Sequence, residues 1–173
     1  MSKPAFSNAK FEATGETKEW FGRTLHRISA VADIAAIGIA AGTLGGWIEK
    51  EDSLSVYGNA WVSGDAQVSG DARVYGNAWV SGNARVYGNA RVSGFLPYAH
   101  RSDGYAFVVT ATPDGPRLIA GCRYFTFDDA DKHWRETRGG TPLGDETMDI
   151  LELLKNQAER HGLMEPVKAE ESA

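Results

Sequence analysis

The C-terminal third of the chain contains the residues from which a nucleophilic pair could be built. Cys122 is the single cysteine, and His133 follows it in the sequence. An imidazole that deprotonates a thiol makes a reactive nucleophile. An isolated cysteine in an apolar strand is more often a small buried side chain, so we predict no catalytic residue. The four histidines are scattered and have no cysteine partners, and we therefore expect no metal and no cofactor.

A candidate phosphate site lies between two helices predicted near the C-terminus. The segment RGGT at 138–141 places Arg138 and several backbone N–H groups ahead of a helix that we expect to begin near Asp145, and Arg123 precedes it. Unpaired N–H groups at a helix start attract phosphate. A glycine pair between helices is also a common turn, and the carboxylate of Asp145 would compete for the helix start. Arg123 and Arg138 are candidate anion-binding residues on the first interpretation only.

The strongest pattern in the chain is a repeat of six residues at 54–94. Valine recurs at every sixth position from Val56 to Val92, and an alanine stands two residues before each later valine. Side chains two residues apart on a strand point the same way, so each Ala-x-Val predicts a short strand with both side chains inside. Glycine followed by Asn or Asp recurs with the same period, and this pair readily adopts the positive φ of sharp turns. The chain is therefore expected to turn after every strand.

Three strands and three corners of this repeat would close a coil of eighteen residues. Stacked coils would pair as parallel strands about 4.8 Å apart, so residues eighteen positions apart would lie above one another. One face then carries Arg73 and Arg91 beside Tyr57 and Tyr75. Guanidinium and phenol groups in this arrangement can pair with a phosphate and stack on a base. These four residues are predicted to bind a ligand, although long polar side chains also serve simply to keep a flat sheet soluble.

A second face of the predicted coil places Trp61 over Trp79, and a third carries Tyr87. An exposed pair of indoles is unfavourable in water, because each ring could bury roughly 150–250 Å². We predict that Trp61, Trp79 and Tyr87 form a subunit interface. The alternative is that the C-terminal hairpin or helices fold back over the tryptophans.

The repeat resembles that of the left-handed β-helix, hexapeptide-repeat proteins. The preceding segment, LHRISAVADIAAIGIAAGTLGGWIEKEDSLS, is similar to one found before such repeats in proteins of bacteriophages and prophages, and GCRYFTFDDADKHW resembles their C-termini. The main resemblance covers about residues 10–94. It implies a triangular, left-handed solenoid of phage or prophage type. Such solenoids often associate along their length, so the resemblance also implies a homotrimer or dimer.

The same resemblance raises acyl transfer, which many hexapeptide-repeat proteins catalyse. Those enzymes place a catalytic histidine on or beside a coil, often with a loop that protrudes from a corner. Here no histidine lies within 54–94 and no loop interrupts the hexads, and His100 is the nearest histidine after the repeat. The resemblance therefore favours a binding or assembly protein over an enzyme.

The residues before the repeat predict a small β-rich segment at 1–53. Alternation favours strands at 10–15 and 25–31, and an irregular coil at 39–53 is expected to cap the solenoid. The most apolar stretch, 28–41, contains a charged residue and is too short to span a bilayer. With a single cysteine in the chain, we expect a cytoplasmic protein that does not enter a membrane.

The residues after the repeat, 95–163, predict a small α+β domain. A hairpin of 105–112 and 117–125 is expected around the turn Pro-Asp-Gly-Pro. Thr126 and Asp129 form a capping box for a helix to about residue 137, and a second helix is expected at 145–161. The acidic tail at 164–173 is expected to be disordered. The predicted fold class is thus mainly β, a left-handed parallel β-helix followed by a hairpin and two helices.

A net charge of −5 argues against broad DNA binding, which needs many Lys and Arg residues to displace counterions. The remaining partners are a second copy of the chain, a host protein or a small anionic ligand. We expect a non-enzymatic, oligomeric binding protein, in its most specific form one that captures a nucleotide or blocks a host immune complex. A filament-forming scaffold of bactofilin type and a hexapeptide-type acyltransferase are the alternatives.

Overall fold

The computed structural model describes residues 4–94 and 96–166. The chain divides into two compact units, Met1–Phe95 and Leu96–Ala173. The predicted disordered tail lies outside the described residues from position 167 onward. The described part of the first unit contains these strands: β1 (Phe11–Trp20), β2 (Arg23–Ala30), β3 (Leu44–Ile48), β4 (Trp61–Val62), β5 (Gln67–Val68), β6 (Arg73–Val74), β7 (Trp79–Val80), β8 (Arg85–Val86) and β9 (Arg91–Val92).

The short strands of the repeat stack in parallel with the predicted period. β4 pairs with β7, β5 with β8 and β6 with β9, and each pair joins residues eighteen positions apart. The Ala and Val side chains of these strands and of the turns before them are at most 2% exposed. Burying these small side chains is the main favourable term for a stack of two-residue strands. The prediction of stacked eighteen-residue coils is confirmed from β4 onward.

The segment before the repeat extends one of these ladders into a larger sheet. β1 and β2 form an antiparallel hairpin, β3 is antiparallel to β2, and β3 lies parallel to β5. The resulting sheet has the order β1-β2-β3-β5-β8. β1 extends well beyond the predicted strand at 10–15, because the chain continues pairing to a tight turn at Phe21 and Gly22.

The first hexad of the repeat departs from the predicted register. Leu54 pairs with Val74, twenty positions away, whereas Trp61 pairs with Trp79, eighteen away. The segment from Leu54 to Trp61 is therefore two residues longer than the segment from Val74 to Trp79 that it lies against. Leu54 is 1% exposed and takes the core position expected for Val56, which is half-buried. The larger side chain buries more apolar surface, which favours this register.

The start of the solenoid is closed by Lys10. Its Nζ donates hydrogen bonds to the carbonyl oxygens of Ser55 (3.0 Å) and Gly58 (3.2 Å). In the next coil the equivalent carbonyl, that of Gly76, accepts a hydrogen bond from the N–H of Asn59. The ammonium group thus donates to carbonyl oxygens that would otherwise accept N–H groups from a preceding coil. Burial lowers the pKa of Lys10 to about 8.

The second unit is an antiparallel sheet with two helices. Its elements are β10 (Tyr98–His100), β11 (Ala106–Thr110), β12 (Arg117–Ala120), β13 (Arg123–Phe125), α1 (Phe127–Arg138) and α2 (Pro142–Arg160). The sheet order is β10-β11-β12-β13, and β11 with β12 forms the predicted hairpin. The helices pack on the sheet through a core that includes Phe107, Leu118, Trp134 and Leu154.

The prediction of one continuous strand at 117–125 is wrong. Gly121 adopts a φ of 61°, and the chain turns there between β12 and β13. Cys122 lies in that turn and is exposed, whereas a buried strand position was expected. His133 packs instead against the rings of Phe125 and Trp134. Within the described residues, no hydrogen bond joins Cys122 to His133.

Both helices begin at threonine caps. The Thr126 hydroxyl accepts the N–H of Asp129 at 3.1 Å, as the capping box predicted. α2 begins at Pro142, three residues before the expected start at Asp145. Thr141 Oγ1 accepts the N–H of Gly144 at 3.1 Å, and proline fits the first helical turn because its missing N–H would be unpaired there. Within 4–94 and 96–166, no helix has the length and apolar character needed to cross a bilayer.

Candidate anion-binding groove

A groove runs along the ladder formed by β6 and β9. It encloses about 320 Å³. Its lining comprises Lys50, Asp52, Asp71, Ala72, Arg73, Asn89 and Arg91. Arg73 and Arg91 face each other in register on the two strands. The repeat therefore places two guanidinium groups in one concave site, together with a lysine from the capping coil.

The carboxylate of Asp71 is engaged by Lys50. Lys50 Nζ lies 3.0 Å from Asp71 Oδ1, and this hydrogen bond, with the charge of Lys50, lowers the pKa of Asp71. Arg91 Nη1 donates to the backbone carbonyls of Asp71 (2.7 Å), Asn89 (3.2 Å) and Ala90 (3.2 Å). Carbonyl acceptors orient the guanidinium without cancelling its charge.

Arg73 is the available cation of the groove. Its side chain is exposed, and it makes no hydrogen bond or ion pair with any residue in the described ranges. With Lys50 paired to Asp71, the carboxylate left to balance Arg73 and Arg91 is that of Asp52. A guanidinium without a counterion presents two parallel N–H donors that match a phosphate or a carboxylate. The groove has the donors and the excess positive charge to hold a small anion.

The predicted tyrosines do not join this site. Tyr57 lies in the enlarged first corner and is 85% exposed, and neither it nor Tyr75 lines the groove. The register is shifted by two residues at Leu54 and returns to eighteen at Asn59, so Tyr57 lies in the part of the chain that absorbs the two extra residues.

At the predicted anion site between the helices, Thr141 caps α2 and occupies a backbone N–H that an anion would need. The carbonyl of Arg138 accepts both the N–H (3.2 Å) and the hydroxyl (2.7 Å) of Thr141, so residues 138–141 form a tight turn. Thr141 in turn occupies an N–H of the helix start. Arg123 begins β13 in the same unit. The described contacts do not bring Arg123 and Arg138 together.

The expectation that Trp61 is exposed is wrong. Trp61 is 0% exposed, because its large apolar surface is covered within the chain itself, so it cannot form a subunit contact. Trp79, its neighbour in the ladder, is 46% exposed and donates its indole N–H to Ser63 Oγ at 2.8 Å. An interface role for Trp79 and for the half-buried Tyr87 remains a prediction.

Lys50 is the groove residue that the hexad pattern did not reveal. It lies in the irregular coil before the repeat, where no period predicts its neighbours. The signal that the sequence offers is the run of charges from Glu49 to Asp52, within the predicted capping coil. No group of three or more His, Cys, Asp and Glu side chains within the described residues could hold a metal ion.

His100, the nearest histidine to the repeat, lies at the end of β10. Its ring Nε2 is 2.5 Å from the hydroxyl of Tyr98, and burial raises the pKa of Tyr98. The described contacts give His100 no carboxylate partner of the kind that orients a catalytic base.

The stacked parallel ladders and the six-residue repeat define a β-solenoid repeat protein. Residues 66–82 and 84–94 match the family described as the YdcK beta solenoid repeat. The matched residues contain the five strands from β5 to β9. A search of the curated proteins found no significant match to the chain.

Proposed function

We propose that this protein is a non-enzymatic binding module that holds a small phosphate-bearing ligand, of nucleotide type, in the groove beside β6 and β9. The observation that carries the proposal is the position of Arg73. It lies in register with Arg91, exposed and without a counterion in the described structure. Two guanidinium groups side by side raise the positive potential of the groove, which favours an anion there.

The shape of the groove is consistent with a small ligand. A volume of about 320 Å³ lies at the lower end of the range of small-molecule sites. Lys50 and Arg91 are already held by Asp71 and by backbone carbonyls. Donors that are fixed before binding lose little conformational entropy when the ligand arrives.

The solenoid that carries the groove is proposed to be a triangular, left-handed coil of the hexapeptide type. Three separate ladders, each with an eighteen-residue register, support three faces per coil. The handedness follows from the resemblance of the repeat to left-handed β-helix proteins. The resemblance of the preceding segment to phage and prophage proteins supports a phage origin, in which capture of a host nucleotide signal would counter a defence system.

We further propose that the protein is a discrete homo-oligomer, with Trp79 in the interface. An indole that is 46% exposed on a flat ladder supports a contact there. The cap at the start of the solenoid argues against an open filament. Lys10 occupies the Ser55 and Gly58 carbonyls that an incoming coil would use, and Asn8 Nδ2 donates to Glu51 Oε1 at 2.9 Å across the same end.

A thermal-shift panel tests the ligand proposal. The intact protein is heated with inorganic phosphate, pyrophosphate and a set of mono- and dinucleotides. At least one probe should raise the melting temperature, and Arg73→Ala should abolish the shift while Arg73→Lys retains part of it. Lys132→Ala is the control, since Lys132 is an exposed cation on α1 and does not line the groove. No shift with any probe, or an unchanged shift in Arg73→Ala, contradicts the proposal.

A further inference from the structure

A second basic surface lies on the sheet β1-β2-β3-β5-β8, away from the groove residues. Four side chains form one cross-strand row, in which Arg27 pairs with Trp47, Trp47 with Gln67, and Gln67 with Arg85. The β1–β2 hairpin adds the side chains of Lys18 and Trp20 to this row. Lys18 Nζ lies 4.2 Å from the ring centroid of Trp47, and the Arg85 guanidinium lies 4.1 Å from that of Trp20.

The row carries more positive than negative charge. Arg27 lies 3.8 Å from Asp65, whose side chain is 72% exposed. Lys18 and Arg85 contact indole rings and have no carboxylate partner among the described residues. Burial lowers the pKa of Lys18, the charge of Asp65 raises it by a smaller amount, and the charges of Arg27 and Arg85 lower it further. The surface therefore holds cations close together with aromatic rings between them.

The overall acidity of the protein does not oppose an anionic partner here. Residues 1–95 contain nine Lys and Arg and nine Asp and Glu, whereas residues 96–173 contain nine and fourteen. The whole net charge of −5 therefore arises in the second unit. A neutral unit with cations gathered on one face presents a local positive potential.

The tip of the hairpin adds an exposed aromatic ring. Phe21 has a φ of 45°, in the left-handed region that bulky residues avoid, and its side chain is 70% exposed. Its ring meets that of Trp20 edge-on, with centroids 4.6 Å apart. Asn or Gly would suit this turn better. Folding alone does not explain a phenylalanine held in water in an unfavourable conformation.

We propose that this face binds single-stranded nucleic acid, with bases stacked on Phe21 and Trp20 and phosphates paired with Lys18 and Arg85. Aromatic rings interleaved with unpaired cations match a chain in which planar bases alternate with phosphates. An acidic peptide would use the cations but would leave the aromatic platform without a partner.

The test is fluorescence anisotropy of labelled oligo(dT) and oligo(U) of about ten nucleotides with the full-length protein. Binding should weaken as salt rises, and Lys18→Ala with Arg85→Ala should weaken it about tenfold or more. Lys132→Ala, at an exposed position of α1 outside both proposed sites, is the control and should leave oligonucleotide affinity unchanged.

Phe21→Asn separates a binding role from a structural one. Asn relieves the positive φ, so this variant should melt at a higher temperature and yet bind oligonucleotide several-fold more weakly. The proposal is overturned if no oligonucleotide binds at low salt, or if these variants bind as tightly as the wild type. It is also overturned if a polyglutamate peptide of similar length competes as well as the oligonucleotide, which would assign the face to an acidic protein.

Discussion

Lys50 Nζ lies 3.0 Å from Asp71 Oδ1, and this ion pair joins the capping coil to the corner before β6. Asp71 is one of two carboxylates in the groove that contains Arg73 and Arg91. The pair therefore controls the charge that an entering anion meets. Because both side chains are exposed to solvent, its effect on folding stability should be small, and its effect on anion binding should be larger.

Opposite changes in this pair should alter ligand affinity in opposite directions. Lys50→Ala frees the carboxylate of Asp71 to compete with the ligand, and affinity for a phosphate probe should fall several-fold. Asp71→Asn removes a negative charge from the groove, and affinity should rise by a similar factor. Titration calorimetry at low and high salt measures both effects. Equal affinities in the two variants at low salt would show that the anion binds elsewhere.

The shifted register of the first coil predicts unequal roles for two neighbouring apolar residues. Leu54 is 1% exposed, so Leu54→Ala should lower the free energy of unfolding by about 2–4 kcal/mol. Val56 is half-buried, and Val56→Ala should lower it by less than about 1 kcal/mol. Urea denaturation measures both values. A larger loss at Val56 would indicate that the regular hexad register extends through the first coil.

The buried ammonium of Lys10 predicts how stability changes with pH. Its pKa is lowered to about 8, from an ordinary value of 10.5. Between these values the unfolded chain holds more protons at this site than the folded chain, so stability rises with pH across the window. Below pH 8 both states are protonated and this contribution is constant.

The matched comparison for that prediction is Lys10→Met, which keeps the length of the side chain. The difference in melting temperature between wild type and variant should change in favour of the wild type from pH 8 to 10.5. A difference that is flat across this range would show that Lys10 is not buried at the end of the solenoid. Comparing the two proteins removes the effect of other groups that titrate there.

The exposed indole of Trp79 predicts a concentration-dependent assembly. Sedimentation of the wild type should show a dimer or trimer, and Trp79→Arg should shift it to the monomer. Leu153→Arg is the control, since Leu153 is also about half exposed but lies on α2. Dissociation by the control alone, or a wild-type monomer at all concentrations, contradicts a solenoid interface through Trp79.

The regular part of the solenoid was predictable because the residues that determine each strand and each corner lie within one hexad. An Ala-x-Val strand and a Gly-Asx corner act within six residues, and together they determine the eighteen-residue register from β4 onward. The first coil was not predictable in the same way. There Leu54 and Val56 compete for one core position, and the result depends on which side chain fills it better.

Features that depend on distant residues were missed for a similar reason. Nothing near Trp61 in the sequence distinguishes it from Trp79, yet one indole is fully buried and the other is 46% exposed. The exposure of Cys122 follows from a turn at Gly121 that interrupts an apolar run. Lys50 reaches the groove only because the capping coil lies against the β6–β9 ladder.

Titration calorimetry of the most stabilising nucleotide against the wild type and the Arg73→Ala, Arg91→Ala double variant tests the central claim most directly. The wild type should bind with a single site per chain, and the double variant should bind at least about a hundredfold more weakly, since two charge-assisted contacts are lost. Circular dichroism should show that the variant keeps its fold, because neither guanidinium is part of the buried core. Equal affinities for the two folded proteins would contradict an anion site in this groove.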